Sequence, residues 1–106
     1  MDKVIKIGNI DVTLRATAST VRRYRAKFGR DLLTDMQNFT EGVSSGEALE
    51  SISCLTYIMA KQANDKIPDD VNDWLDQFEV FPISDFAPEV VKLWTSSTIT
   101  TAKPKN

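Results

Sequence analysis

Five basic side chains fall within nine residues of this chain: Arg22, Arg23, Arg25, Lys27 and Arg30, with Tyr24 and Phe28 between them. Cations at that density bind anions, either the phosphates of a nucleic acid or the carboxylates of a protein. Residues 65–89 carry the opposite charge, with eight acidic side chains and one lysine, Lys66, whereas residues 15–30 hold six basic side chains and no acidic one. Opposed patches of this kind face each other, a partner, or a second copy of the chain. Two features turn the basic run toward protein. Tyr24 and Phe28 share the apolar side of a helix and are not free to stack on bases, and the chain as a whole is acidic, with an isoelectric point near 5.0, where backbone binders are usually basic.

Other chemistry is less well supplied. Histidine is absent, which removes the commonest general base and the commonest metal ligand together. The single cysteine, Cys54, has no imidazole to activate it and reads as a packed or partly exposed thiol. One Cys and no His make no tetrahedral zinc site. Asp69, Asp70, Asp73 and Asp76 suggest calcium, but an EF-hand loop needs alternating ligands, a glycine at its sixth position and a glutamate at its twelfth. Here the spacing is helical, so the carboxylates read as the solvated face of a helix. The four glycines are scattered at 8, 29, 42 and 46 and make no phosphate-binding loop. The expectation is a protein that is not an enzyme and uses no cofactor or metal.

The elements that must position these residues follow from period and punctuation. With 106 residues, 42% hydrophobic and 26% charged, the composition is that of one globular domain with a modest core. No apolar run is long enough to span a bilayer, Met1-Asp2-Lys3 opens no secretory leader, and a lone cysteine suits a reducing cytoplasm. Residues 3–15 alternate about Gly8-Asn9, which predicts a β-hairpin. Ser19 or Thr20 caps a helix over about 19–28, with Val21, Tyr24 and Phe28 inward and Gly29 closing it. Asp31 caps a second helix over 31–39, whose Leu32, Met36 and Phe39 share a face.

A loop over 40–46 leads to a third helix, 47–64, whose broad apolar stripe marks it as central, with Tyr57 and Ile58 off the stripe. Asp69 or Asp70 caps a fourth helix over 70–79. A fifth spans 85–94, with Pro88 fitting only its first turn. The Thr- and Ser-rich residues 95–106 read as a flexible tail. The predicted fold is α+β, mostly α, an N-terminal β-hairpin packed on four to five short helices, with residues 1–94 forming a single globular domain.

The stretch from Ala16 to Met36, ATASTVRRYRAKFGRDLLTDM, resembles a signature of the small tail assembly chaperones of long-tailed phages and prophages of Gram-positive bacteria. The family's Ala-Thr-Ala-Ser-Thr phrase matches residues 16–20, and its Arg-Tyr-Arg-x-x-Phe-Gly-x-Asp run matches Arg23, Tyr24, Arg25, Phe28, Gly29 and Asp31. The residues Tyr57-Ile58-Met59-Ala60-Lys61 and Asp73-Trp74-Leu75-Asp76-Gln77-Phe78 are similar to later landmarks. The resemblance implies a non-enzymatic protein of the host cytoplasm. Such a protein coats the helical tape measure protein, helps tail tube subunits assemble around it, and is absent from the mature virion. It also implies self-association and a longer form made by ribosomal frameshifting.

A helper for an amphipathic helical client needs an apolar groove and complementary charge. The candidate partner-binding residues are Arg22, Arg23, Arg25, Lys27, Arg30, Tyr57, Ile58, Trp74 and Phe81, with Phe78, Phe86 and Trp94 as further groove aromatics. The alternatives are a small nucleic-acid-binding regulator using Arg22 to Arg30, and a structural tail or connector protein.

Overall fold

A computed structural model describes residues 1–40 and 46–98, without the side chains of 38–40, 47 and 98. The architecture is α+β and mostly α: a two-stranded antiparallel hairpin followed by five helices. Strand β1 (Asp2–Ile7) pairs with β2 (Ile10–Arg15), with Ile7 opposite Ile10, Ile5 opposite Val12 and Lys3 opposite Leu14. Gly8 closes the turn at φ +63, the left-handed backbone a two-residue hairpin loop requires. Beyond the strands Met1 and Ala16 exchange both backbone bonds, at 2.9 and 3.1 Å, extending the same register by one pair. Ile5, Ile7, Val12 and Leu14 are buried, while Val4 on the other face is exposed. The pleat therefore divides the hairpin into a core side and a water side.

Helix α1 (Thr20–Phe28) ends at Gly29, whose φ of +66 lets its amide return to the Arg25 carbonyl at 2.8 Å. Its start differs from expectation: Ser19 sits at the cap position but makes no side-chain cap, and its hydroxyl accepts from Arg23 Nε at 2.9 Å. The junction is held by threonines instead. Thr17 N donates to Thr20 Oγ1, Thr20 Oγ1 donates to Gln62 Oε1, and Gln62 Nε2 donates back to Thr17 Oγ1, at 2.8 to 2.9 Å. This closed circuit pins the strand-to-helix corner onto the third helix.

Helix α2 (Leu32–Thr40) buries Leu32 and Met36; the side chain of Phe39 and most of the expected 40–46 loop lie outside the described residues. Helix α3 (Gly46–Ala63) is the hub, and every residue from 51 to 60 is buried. It packs on β2, α1, α2 and both later helices. A helix surrounded on all sides has no single inward stripe, so Tyr57 and Ile58, expected off the stripe, are buried too. Its internal hydroxyls are satisfied along the helix, with Ser53 Oγ donating to Leu49 O and Thr56 Oγ1 to Ile52 O.

Helix α4 (Val71–Leu75) is half the expected length. Asp70 caps it, accepting from Asn72 N at 2.7 Å and Asp73 N at 3.3 Å. It stops where Asp76 and Glu79 would sit against the negative end of the helix dipole, and Phe78 N turns back to Leu75 O instead. Helix α5 (Ile83–Thr98) starts earlier and runs further than predicted. Pro88 therefore lies in its second turn, where the carbonyl it leaves without its usual donor belongs to the exposed Ser84. Residues 95–98, expected in a tail, are the last turn of this helix, and residues 99–106 lie outside the described residues.

The core is threaded by aromatic rings in successive edge or tilted contact: Tyr24, Phe28, Tyr57, Trp74, Phe78, Phe81 and Phe86, with centroids 5.0 to 6.4 Å apart. Such pairs add to the area they bury. The file ties α1 to α3, α4 and α5. Trp94 is buried as well, and its indole N–H has no partner among the described residues.

Candidate functional site

The basic run divides once it is folded. Arg22, Arg23, Arg25 and Lys27 are exposed along α1, but Arg30 turns inward. Its Nε donates to Asp35 Oδ2 at 2.8 Å and its Nη2 to Asp35 Oδ1 and Ser51 Oγ, each at 3.2 Å. The Tyr24 hydroxyl donates to the same Asp35 oxygen at 2.8 Å. Burial pushes the Asp35 carboxyl upward, but the hydrogen bonds from Arg30 and Tyr24 outweigh it and hold it below the usual carboxylate range. Arg30 is thus an internal counterion joining α1, α2 and α3, not part of a binding face.

The remaining basic side chains border a groove between α1 and α3, a cavity of about 350 Å³ lined by Arg23, Ala26, Lys27, Tyr57, Ile58, Lys61, Gln62 and Asp69. The spacing explains the wall and the floor. Arg23 and Lys27 stand one turn apart on α1, as Tyr57 and Lys61 do on α3, and residues at that separation share a helix face. Tyr57 and Ile58 form a floor with almost no exposure. The Tyr57 hydroxyl donates to the Pro68 carbonyl at 2.6 Å, and burial raises its ionisation above that of a free phenol.

Lys27 lies 5.8 Å from the centre of that ring and donates to the Asp69 carbonyl. Lys61 donates to the carbonyls of Asp65 and Ile67 and to Asp69 Oδ1, the last at 2.9 Å. The Lys61 hydrogen bond is the main cause that holds the Asp69 carboxyl below its ordinary value.

Of the nine residues expected to bind a partner, four, Arg23, Lys27, Tyr57 and Ile58, meet in this groove. Arg22 and Arg25 lie on the same helix outside its lining. Trp74 is 1% exposed within the aromatic file, with its ring against Tyr57 beneath the groove floor, and Phe81 is half-buried against Trp74, Phe78 and Phe86; neither lines the groove. Ala26, Lys61, Gln62 and Asp69 were not anticipated. The i, i+4 step from Tyr57 to Lys61 was a usable signal, whereas Asp69 arrives from a loop, where no periodicity points to it.

A second cavity, about 430 Å³, lies beside β2 and is lined by residues 10–13 with Ala63, Asn64, Ile67, Trp74 and Gln77. Cys54 is buried, its thiol 3.5 Å from Glu50 Oε2 and pushed up to about 12, first by burial and then by that carboxylate. Among the described residues no group of three or more His, Cys, Asp and Glu side chains is placed to hold a metal ion, and no helix is long and apolar enough to cross a membrane.

Three cations, one carboxylate and an apolar floor suit an anionic ligand with an apolar side. No family model, curated protein or solved structure matches this chain.

Proposed function

We propose that this protein is a tail assembly chaperone of a long-tailed phage or prophage. It binds the helical tape measure protein in the host cytoplasm, helps tail tube protein assemble around it, and leaves before the virion is complete. The observation that carries the reading is the groove beside α1, where Arg23, Lys27 and Lys61 surround exposed Ala26 above a floor of Tyr57 and Ile58. A client that is a long amphipathic helix is held by that combination, with one face on the floor and its charges on the rim.

The residues that resemble the family divide in the same sense. Thr17, Thr20, Tyr24 and Gly29 build the corner and the cap of α1, while Arg23 and Arg25 stay in solvent.

The test is co-expression with the tape measure protein encoded beside this chain, followed by pull-down. The client is expected to become soluble and co-purify, and Arg22→Glu/Arg23→Glu/Lys27→Glu is expected to release it. A client that stays insoluble and unbound overturns the reading. So does recovery of the chain in purified virions, which makes it a structural tail protein. Salt-sensitive retention on DNA in place of client binding makes it a nucleic-acid-binding regulator.

A further inference from the structure

The groove already contains a carboxylate belonging to this chain, and the two halves of that ion pair are held very differently. Lys61 is 29% exposed and tied down by the carbonyls of Asp65 and Ile67, and Lys27 lies against the Tyr57 ring. The Asp69 side chain that meets Lys61 keeps 92% of its surface in water. The cations are built into the fold, and the anion rests on them from outside. An exposed pair of this sort contributes little to stability, so the carboxylate is easily exchanged for another. Arg23 extends the cationic wall one turn along α1, and Ala26 keeps the wall low between it and the floor.

We propose that this groove is the docking site for an acidic amphipathic helix of a partner protein. The partner's carboxylates, spaced three or four residues apart, meet Arg23, Lys27 and Lys61, and Asp69 is an internal stand-in that they displace. Residues 15–30 contain no acidic side chain, so the wall offers positive charge alone. Exposed Ala26 and the methylene stems of Arg23, Lys27 and Lys61 supply the accessible apolar surface of the groove, and a helix with acids on one edge presents a matching apolar side at the same repeat. A nucleic acid fits less well, because its backbone is charged along its whole length and offers no apolar side. The inference rests on the reading of this face as the client surface and adds which charge the client must carry.

The test uses the full chain and a fluorescein-labelled 15-residue alanine- and leucine-based helical peptide with glutamates at i, i+4 steps. Its glutamine counterpart and a 15-nucleotide single strand of DNA serve as comparisons, all measured by anisotropy at low and moderate salt. The glutamate peptide is expected to bind best. Arg23→Glu is expected to weaken it about tenfold, as loss and reversal of an interfacial charge does, while Lys92→Glu on α5, with the same change in net charge, leaves it much closer to the parent.

The decisive variant is Asp69→Asn. Removing the stand-in is expected to tighten the glutamate peptide by about two- to fivefold, the scale of an exposed ion pair. Unchanged or weaker binding by Asp69→Asn overturns the proposal, as does equal binding of the glutamine peptide or tighter binding of DNA. If the tape measure protein fails to co-purify while the peptide results hold, the chaperone reading falls and the groove stands. If the client binds but ignores both Asp69→Asn and Arg23→Glu, the groove falls alone.

Discussion

The Tyr24 hydroxyl and the Arg30 guanidinium both donate to one oxygen of Asp35, each at 2.8 Å. Asp35 is thereby shared between the end of α1 and the first turn of α2, and Arg30 carries the link on to Ser51 of α3. A carboxylate held by charge-assisted donors in a nearly dry site loses stabilisation when any one of them is removed. Tyr24→Phe is therefore expected to cost about 1–3 kcal/mol, the scale of a hydrogen bond to a charged group. Asp35→Ala, which strands a half-buried guanidinium and a phenol, is expected to cost about 3–5 kcal/mol. Urea unfolding of the two single variants and the double variant should show them strongly non-additive.

The same carboxylate sets an acid limit. Its folded-state ionisation lies below the ordinary aspartate value of 3.8, because Arg30 and Tyr24 overcome the effect of burial. A lowered carboxylate contributes stability that is complete above the unfolded value and is lost as pH falls through the folded one. The thermal midpoint should thus hold from neutral pH down to roughly 5 and then fall steeply below 4. In Asp35→Asn the midpoint at neutral pH should be lower and the fall below pH 4 shallower. Asp2, Asp69 and Glu89 are lowered as well by Arg15, Lys61 and Lys3, but these groups lie in water, where screening leaves them little weight.

Two glycines take left-handed backbone for separate reasons, and their alanine variants should differ. At Gly29, φ +66, an added Cβ would meet nothing within 4 Å, whereas at Gly8, φ +63, it would lie 3.2 Å from the Val80 carbonyl oxygen. Both substitutions incur the strain of the conformation, about 1–2 kcal/mol. Gly8→Ala must also push the 78–81 segment away from the hairpin, so its thermal midpoint should fall further than that of Gly29→Ala.

Cys54 should be chemically silent in the native protein. It is 2% exposed, and its thiol is pushed up to about 12 by burial and by Glu50, so the reactive thiolate is scarce at pH 8. Ellman's reagent at that pH should give no signal over many minutes and one equivalent at once in guanidinium. Rapid reaction under native conditions would show that α3 opens locally.

Short-range order was legible in the residues themselves. The alternation about Gly8-Asn9, the inward repeat of Tyr24 and Phe28, and the glycine after Phe28 sufficed for the hairpin, α1 and its cap, because strand pleat, helical period and left-handed backbone are properties of a few neighbouring residues. The central place of α3 followed from the breadth of its apolar stripe. What only the tertiary structure decided was the fate of charges and rings that spacing alone cannot distinguish. Arg30 belongs by sequence with Arg22 and Arg23, yet Asp35 and Ser51 draw it inside. Trp74 and Phe81 are aromatics among acids, and the file of rings from Tyr24 to Phe86 consumes both. Asp69 joins Lys27 and Lys61 from 42 and 8 residues away, and α4 stops after five residues once its acids meet its own dipole. Each of these outcomes depends on which groups meet across the fold, where burial and pairing outweigh local preference.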